Sequence, residues 1–306
     1  MKSFRKSHKK LNLYSGINTF MHEKDMGLPR IDLKKNRKTK NNKKSYKNRR
    51  TSKRKSRNIY GGREHTIEEK FHIEKDKLKN RDKEYLFDTV DGSDHIYYGE
   101  VVGGKKNGWG KFKNDIYLYE GKFSNDLKDG IGNMKYANGD EYIGYWQNDM
   151  KNGKGKMYYS NGNIYEGNWH NDMKNGEGKF TGDGYVYDGE WLNDIREGHG
   201  KLTYSYGDVY EGEWRNDMKN GKGKLISHGD DYVDGFVYDG EWVDNNIDGQ
   251  GKMIYSNGDI YEGKWQNNMR YGTGKITVIS DGTGDVYEGE WVEDILQTVP
   301  NKFRPQ

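Results

Sequence analysis

The sequence predicts an all-β fold: an elongated, single-layer antiparallel sheet of about nine stacked β-hairpins, preceded by a disordered basic N-terminal tail. Three observations predict it. A unit of about 23 residues repeats through the last two thirds of the chain, large apolar and polar residues alternate within the unit, and glycines recur at fixed places in it. Such a period is typical of arrays in which each unit packs against its neighbours.

The repeating unit reads Tyr-x-Gly-x-Trp, followed closely by Gly-x-Gly. Its first tyrosines are separated by 22, 23, 23, 22, 23, 28, 23 and 26 residues. These tyrosines are Tyr97, Tyr119, Tyr142, Tyr165, Tyr187, Tyr210, Tyr238, Tyr261 and Tyr287. Seven of the eight tryptophans hold one place in the unit, namely Trp146, Trp169, Trp191, Trp214, Trp242, Trp265 and Trp291. The spacing therefore predicts a structural ladder of packed rings.

The copy around Gly258 shows why the unit should fold as a hairpin. Apolar and polar residues alternate around Tyr261, which is the period-2 pattern of a half-buried strand, and the Asn-Gly pair before it is a strong turn signal. If Met253 and Tyr261 face the same way, they must pair, which leaves a three-residue loop with Gly258 in the left-handed conformation. The same register places Lys252 opposite Glu262 on the other face.

One repeat is a residue shorter, and its turn absorbs the difference. A two-residue turn at Asp183 and Gly184 keeps Phe180 opposite Tyr187. In this register the glycines of the unit face one another, which leaves room for the rings of neighbouring repeats. The Lys and Glu pairing also recurs in other copies, as Lys156 with Glu166 and Lys201 with Glu211.

The unit Tyr-Glu-Gly-Glu-Trp-x-Asn-Asp-x-Lys-Asn-Gly-x-Gly-Lys is almost intact at residues 165–179 and 210–224. It resembles the MORN repeat, and the resemblance covers about residues 83–295. The resemblance implies a sheet of successive hairpins with a shallow groove along one face, serving as a scaffold or adaptor at membrane, cytoskeletal or flagellar junctions. Peptide binding, self-association and phospholipid contact are roles proposed for relatives. Val101 and Phe123 depart from the pattern, since they replace the tryptophan of the first two units.

Composition limits the possible classes of protein. Only 31% of the 306 residues are hydrophobic and the mean hydropathy is -1.24, which excludes a large conventional core. There is no cysteine, so neither a disulfide framework nor a thiolate zinc site is possible. No apolar run reaches the length of a membrane span or a signal peptide. We therefore expect a cytoplasmic chain, with the nucleus as the alternative, and the resemblance implies association with cytoskeleton or membrane.

Charge is divided unevenly along the chain. Residues 1–60 contain 21 Lys and Arg against 3 acids, whereas residues 97–306 contain 24 against 35. The first segment has scarcely any apolar periodicity, so it is predicted to be disordered. Its densest cations are Arg49, Arg50, Lys53, Arg54, Lys55 and Arg57. This tail suits a nuclear-import signal, an anchor for anionic lipid, or an arm that binds nucleic acid or tubulin; a solvated extension without a partner is the alternative.

Segments at both ends of the array are expected to cap it. Thr66 and Glu69 form a capping-box pattern, which predicts a short helix over residues 66–80. The first hairpin is expected over residues 83–102, and a short closing helix over residues 292–299. The predicted boundaries are a basic tail at 1–60, a linker at 61–82, the array at 83–295 and a C-terminal tail at 296–306.

The sequence offers little catalytic chemistry. The eight histidines show no paired metal-ligand spacing, so packed or solvated histidines are favoured over a metal site. Residues 272–275 superficially resemble a phosphate loop, but Ile276 stands where that loop needs Ser or Thr. No stretch outside the repeats and the tail is long enough for an enzyme domain. We therefore expect no enzymatic activity, no cofactor and no metal.

The pattern favours a non-catalytic scaffold that holds a partner segment along its aromatic face. The residues expected to contact the partner are Tyr142, Tyr165, Tyr187, Tyr210, Tyr238 and Tyr261. The alternative for these rings is that packing between repeats uses them entirely. A competing class is a membrane-surface protein that binds anionic phospholipids mainly through the basic tail. End-to-end homodimers through unpaired edge strands remain open, while nucleic-acid binding rests on charge alone.

Overall fold

The computed structural model describes residues 65–76, 95–229 and 234–297. These ranges contain one helix, α1 (Ile67–Asp76), and eighteen strands. The strands are β1 (Ile96–Val102), β2 (Lys105–Lys113), β3 (Tyr117–Ser124), β4 (Leu127–Tyr136), β5 (Glu141–Gln147), β6 (Met150–Tyr158), β7 (Ile164–His170), β8 (Met173–Gly182), β9 (Tyr185–Leu192), β10 (Ile195–Tyr204), β11 (Val209–Arg215), β12 (Met218–Gly229), β13 (Asp234–Val243), β14 (Asn246–Tyr255), β15 (Ile260–Gln266), β16 (Met269–Val278), β17 (Asp285–Val292) and β18 (Ile295–Leu296).

Every strand pairs antiparallel with the next strand in sequence, so the described array is one open sheet built as a continuous meander. This confirms the predicted all-β class and the antiparallel sheet of hairpins. The basic tail and the first strand of the predicted first hairpin, residues 83–90, lie outside the described residues.

The register predicted for the copy around Gly258 is confirmed. Met253 pairs with Tyr261 and Lys252 with Glu262, and Gly258 has a φ of 88°, as the three-residue loop requires. The shorter repeat also keeps its expected ring pairing across a two-residue turn. Alternation and turn length together were therefore sufficient to fix the register.

A second kind of tight turn joins one hairpin to the next. At Asn148 and Asp149 the φ angles are 50° and 68°, as a type I′ turn requires, and Asn and Asp enter this region more readily than other residues with a side chain. The Lys128 N–H donates to Asp149 Oδ1 at 2.8 Å, and the Asp149 N–H donates to the Lys128 carbonyl at 3.0 Å. The turn is thereby fastened to the strand one repeat earlier.

The closing helix predicted over residues 292–299 is wrong for its described part. Glu293 and Asp294 have φ angles of 48° and 65°, which a right-handed helix excludes. They form the same turn that Asn and Asp form between other hairpins. The chain then continues as β18, which pairs with the end of β17 and is the last strand of the described residues.

The sheet has two chemically different faces. The aromatic face carries the tyrosine and tryptophan rings of the repeats, which form one buried cluster along the array. The outer face carries the cross-strand Lys and Glu pairs, such as Lys252 Nζ and Glu262 Oε1 at 2.8 Å. The pairs Lys156–Glu166 and Lys201–Glu211 are also formed, at 3.2 and 3.3 Å.

Helix α1 begins where the capping box predicts. The Thr66 N–H donates to Glu69 Oε2 at 2.9 Å, and the Glu69 N–H donates to Thr66 Oγ1 at 3.2 Å; these are the reciprocal bonds of that motif. The helix is described as far as Asp76. It lies on the outer face of the sheet, against β4, β5 and β6.

Candidate partner-binding surface

The seven tryptophans expected to form a ladder are buried, and those of successive repeats pack between tyrosines. The Trp214 ring lies 5.2 Å from Tyr210 of its own repeat and 5.4 Å from Tyr187 of the preceding repeat, and both contacts are edge-to-face. This is the arrangement that the ring quadrupoles favour. The Trp214 indole N–H also donates to the Gly200 carbonyl at 3.1 Å, so the ring is held by packing and by a hydrogen bond.

The six tyrosines expected to contact a partner have no exposed surface. Tyr142, Tyr165, Tyr187, Tyr210, Tyr238 and Tyr261 are each 0% exposed. Their hydroxyls are also engaged, as at Tyr210, whose Oη donates to the Glu213 carbonyl at 3.0 Å. The tryptophan of the following repeat covers each ring. These tyrosines therefore do not form the contact surface expected of them, because packing between repeats uses them entirely.

Paired glycines make the space that these rings fill. A Cβ added at Gly263 would lie 2.5 Å from the Gly274 Cα and 2.6 Å from the Tyr261 hydroxyl. No side chain fits at such a distance without moving the ring or the backbone. The glycine of Tyr-x-Gly is thus required by the close approach of a neighbouring ring and backbone.

A row of cations, which the sequence analysis did not single out, covers the ladder. The Arg196 guanidinium lies 4.3 Å from the Trp214 ring centroid, a cation–π contact, and its Nε lies 2.9 Å from Asp217 Oδ1. The same place holds Lys106, Lys128, Lys151, Lys174, Lys219 and Arg270. The sequence signal for this row is the recurring Asn-Asp-x-Lys pattern, in which the cation lies two residues after the turn.

These cations stabilise the ladder and do not present a charged surface. The Lys128 side chain is 12% exposed and the Arg270 side chain 1%. Burial lowers the pKa of Lys151 and of Lys174, and the nearby turn aspartates oppose that effect. A surface ligand therefore meets little of their positive charge.

The accessible part of the aromatic face lies at the hairpin turns. Seven rings there pack against the buried ladder and are half-buried: Tyr117, Tyr136, Tyr159, Phe180, Tyr185, Tyr204 and Phe236. We call them the turn-end row. Tyr117 pairs with Tyr136 and Tyr185 with Tyr204 across adjacent strands. The Phe180 centroid lies 5.5 Å from that of Tyr185, so neighbouring rings form a nearly continuous surface.

The turn-end row can stack on a partner and donate hydrogen bonds to it. Burial, with a smaller contribution from nearby aspartates, raises the pKa of Tyr136 and of Tyr159 to about 12. Both phenols therefore stay protonated near neutral pH. The described residues contain no group of three or more His, Asp or Glu that could hold a metal ion.

The family model of the MORN repeat matches eight segments that together make up just over half of the chain. The segments are residues 119–141, 142–164, 165–184, 187–209, 210–229, 238–260, 261–277 and 287–297.

The chain belongs to the MORN-repeat family. Comparison with curated proteins finds no match. Among solved structures, the SAS-4 (dCPAP) TCP domain in complex with a proline-rich motif of Ana2 (dSTIL) of Drosophila melanogaster matches at 14% identity with a TM-score of 0.31. That match covers 53% of this chain and 85% of the other. None of the helices that the structure describes is long and apolar enough to span a membrane.

The MORN pattern extends at least one repeat before the first matched segment. Tyr97 is buried, and its Oη donates to the Glu100 carbonyl at 2.9 Å, as the later tyrosines do. Phe123 takes the place of a tryptophan, and its ring packs edge-to-face on Tyr97 at 5.3 Å. The first repeats thus keep the MORN ladder with a smaller ring.

On the outer face, the same early MORN repeats depart from their own pattern. The eighth tryptophan, Trp109, lies there with Ile131 and Ile143, and all three are buried beneath α1. The sequence analysis missed these residues. A signal was present, because each is an apolar residue at a position that is polar or charged in later repeats.

Proposed function

We propose that this MORN-repeat chain is a non-catalytic scaffold or adaptor that binds a segment of a partner protein along the turn-end row. The observation that carries the proposal is the series of half-exposed rings running across the strands from Tyr117 to Phe236. Aromatic anchors surrounded by polar groups are the usual energetic centres of protein interfaces. An enzyme is not proposed, because the row supplies no nucleophile, acid-base pair or metal site.

Rigidity supports this function. Each ring of the turn-end row rests on the buried ladder, so little side-chain freedom remains to be lost when a partner binds. Adjacent strands lie about 4.8 Å apart, which spaces the rings closely enough for successive side chains of one segment to contact several repeats. A longer segment would contact more repeats and bind more tightly, as in other repeat arrays with extended binding surfaces.

The setting we propose is a cytoskeletal, flagellar or membrane-associated structure in the cytoplasm, which membership of the MORN family favours. The acidic excess of residues 97–306, 35 acids against 24 cations, favours neutral or basic partner segments. Charge of this kind mainly affects the association rate and its dependence on salt, whereas the rings supply the affinity.

The test uses full-length protein as bait in cell lysate, with low-salt and high-salt washes and mass spectrometry. The test variant is the triple substitution Tyr136→Ser, Tyr159→Ser and Tyr204→Ser. Tyr271→Ser is the matched control, because Tyr271 is 44% exposed and lies near the opposite end of its strand. We expect a discrete partner that survives high salt with wild type and control and falls at least about tenfold with the triple variant.

Equal capture by the triple variant would exclude the turn-end row. Circular dichroism and the thermal midpoint of each variant show whether any loss of binding comes from unfolding instead.

The second candidate function is binding of anionic phospholipid through the basic tail, favoured by its 21 cations against 3 acids. The acidic array is a poor electrostatic partner for such a membrane, so this binding would depend on the tail and weaken steeply with salt. The test is sedimentation with phosphatidylserine vesicles after neutralising the tail cations to Gln. Those cations are Arg49, Arg50, Lys53, Arg54, Lys55 and Arg57. Unchanged vesicle binding would exclude this assignment.

A further inference from the structure

Helix α1 is seated on an apolar patch of the outer face. The patch consists of Trp109, Ile131 and Ile143, which are 5%, 3% and 8% exposed. We call these three residues the outer-face patch. The helix covers it with Ile67 and Phe71, four residues apart on one side of the helix, and the Phe71 ring centroid lies 5.6 Å from that of Trp109.

The sheet does not need this patch in order to fold. Trp109 and Ile131 stand between the glycines of Gly-x-Gly, a place held in later repeats by Lys154, Glu177, His199, Lys222, Gln250 and Thr273. Ile143 stands in the place held by Glu166, Asp188, Glu211, Asp239, Glu262 and Glu288. In the later repeats, these polar residues lie on equivalent strands and pair in the same register. The three apolar residues therefore serve the contact with a helix and not the ladder.

Ion pairs near both ends of the helix hold it in position. Glu68 Oε1 lies 3.1 Å from Lys156 Nζ and accepts a hydrogen bond from Tyr158 Oη at 2.8 Å. Farther along, Lys75 Nζ lies 2.8 Å from Glu120 Oε1. Beside this pair, Lys122 Nζ lies 3.2 Å from Glu74 Oε2. An acid near the first apolar anchor, and an acid and a base after the second, thus match the charges around the patch.

The helix itself is a weak ligand for this site. It is described as ten residues and buries only two apolar side chains, and isolated helices of that length are marginal in water. A helix held by two apolar anchors can leave the patch while the sheet stays folded.

The space beside the N-terminal end of α1 is a further feature of the outer face. A cavity of about 480 Å³ lies there, between His65, Thr66 and strands β6 to β9. Its lining combines apolar surface with residues of both signs of charge, including Lys154 and Glu177. A helix with one or two further turns at its N-terminal end would extend into this space.

We propose that the outer-face patch is a receptor for an amphipathic helix of a partner protein, and that α1 occupies it in cis until that helix displaces it. The partner helix carries an aliphatic residue and an aromatic residue four positions later, with an acid beside the first and both an acid and a base after the second. This site is distinct from the turn-end row, which lies on the other face of the sheet.

Tethering predicts how the competition behaves. A helix that belongs to the same chain competes at an effective concentration in the millimolar range, so an added helix binds only the fraction of molecules in which α1 has left the patch. Removing α1 from the patch should therefore raise the apparent affinity for an added helix at least about tenfold.

The experiment measures binding of a fluorescein-labelled, end-capped peptide of residues 65–76 by anisotropy, with full-length protein. Phe71→Glu frees the patch without touching the array. Ile73→Glu is the matched control on the same helix, since Ile73 is 40% exposed. Phe71→Glu combined with Ile131→Lys removes the receptor, and the sheet accepts this lysine because Lys154 and Lys222 hold the same place in other repeats.

We expect the peptide to bind Phe71→Glu at least about tenfold more tightly than wild type or Ile73→Glu, and the gain to vanish in the double variant. Equal affinity for wild type and Phe71→Glu would overturn the proposal. So would a concentration-dependent dimer of wild type that Phe71→Glu abolishes, because α1 would then dock on a second copy. Substitutions in the turn-end row should leave all of these peptide affinities unchanged, because the row lies on the other face of the sheet.

Hydrogen exchange gives a second reading that does not depend on the peptide. In Ile131→Lys with Ile143→Glu, the α1 amides should lose protection while β7 to β17 keep theirs. Unchanged protection of α1 would show that the outer-face patch does not hold the helix, and would overturn the proposal independently.

Discussion

The two faces of the MORN array follow different rules, although the same strands build both. On the aromatic face, successive repeats place a tyrosine over paired glycines and a large ring beside it. On the outer face, equivalent positions range from Lys and Glu to the Trp and Ile beneath α1. A ring on the first face must fit both neighbouring repeats, whereas an outer-face residue mostly meets water. The uniform residues of the aromatic face reflect packing. On the outer face, a residue that departs from the repeat pattern indicates a local role.

Alkaline pH should have the largest effect of the changes considered, because it should disrupt the packing of the aromatic face. Burial raises the pKa of the ladder tyrosines, as at Tyr210 and Tyr261, and raises the pKa of Tyr136 and Tyr159 to about 12. The ordinary phenol pKa is about 10. The folded chain therefore holds these protons more tightly than the unfolded chain, so stability is complete below pH of about 10 and falls as the pH rises toward 12.

The measurement is a pH titration that follows phenolate absorbance and strand circular dichroism together. Both should change in one steep transition, because the buried phenols ionise as the sheet opens. Phenolate that forms gradually while the strand signal persists would show that the rings are accessible in the folded array.

Trp214→Ala should have the next largest effect. It removes a ring that packs on Tyr187 and Tyr210 and donates a hydrogen bond to Gly200. Deleting a buried tryptophan side chain typically costs about 3 to 5 kcal/mol of unfolding free energy. Urea denaturation of the full-length chain measures the loss. A change below about 1 kcal/mol would mean that the ladder tolerates gaps and that the contrast between the faces is overstated.

An uncharged place in the described cation row, held by Ile247, offers a sharper test. Ile247 is 0% exposed, and its backbone N–H donates to Asn268 Oδ1 at 2.7 Å. At the equivalent place, the backbone N–H of Arg196 donates to the carboxylate of Asp217 instead. Ile247→Arg should cost about 2 to 3 kcal/mol, because a buried cation gains no carboxylate partner. Adding Asn268→Asp to Ile247→Arg should give an unfolding free energy at least about 1 kcal/mol higher than the sum of the two single effects predicts.

A double-mutant cycle by urea denaturation measures this coupling, with Asn268→Asp alone as the control. Strictly additive effects would show that the carboxylate and the cation of the row act independently.

Glu211→Ala on the outer face should have the smallest effect. Glu211 pairs with Lys201 at 3.3 Å, but its side chain is 68% exposed. Exposed ion pairs contribute about 0 to 1 kcal/mol, so we expect a loss below about 0.5 kcal/mol that shrinks further in high salt. Urea denaturation at two salt concentrations checks it. A loss comparable to that of Trp214→Ala would contradict the division between the faces.

The register of the hairpins could be predicted from the sequence because it depends on parity and turn length alone. Met253 opposite Tyr261 follows once Gly258 is assigned to the loop, and the capping box at Thr66 and Glu69 similarly placed the start of α1. Each of these is a local property, so no knowledge of neighbouring repeats was needed.

The burial of the rings and the place where α1 packs on the sheet could not be predicted in the same way. Alternation shows that Tyr210 faces the rings, but its burial depends on where the next repeat brings Trp242. Nothing within α1 indicates which strands receive it, since that depends on Trp109 and Ile131. The closing helix was wrong because Glu293 and Asp294 occupy the place of the usual Asn-Asp turn, and acidic residues alone gave no turn signal.

Sequential pairing of the strands also has a mechanical consequence. The two ends of the described array are its two outermost strands, so tension applied between them acts along the interstrand hydrogen bonds and peels strands away one after another. Helix α1 resists this at one end, because its contacts extend from Trp109 on β2 to Lys156 on β6. Under load the array should therefore lengthen first from its β18 end, with the segment braced by α1 the last to give way.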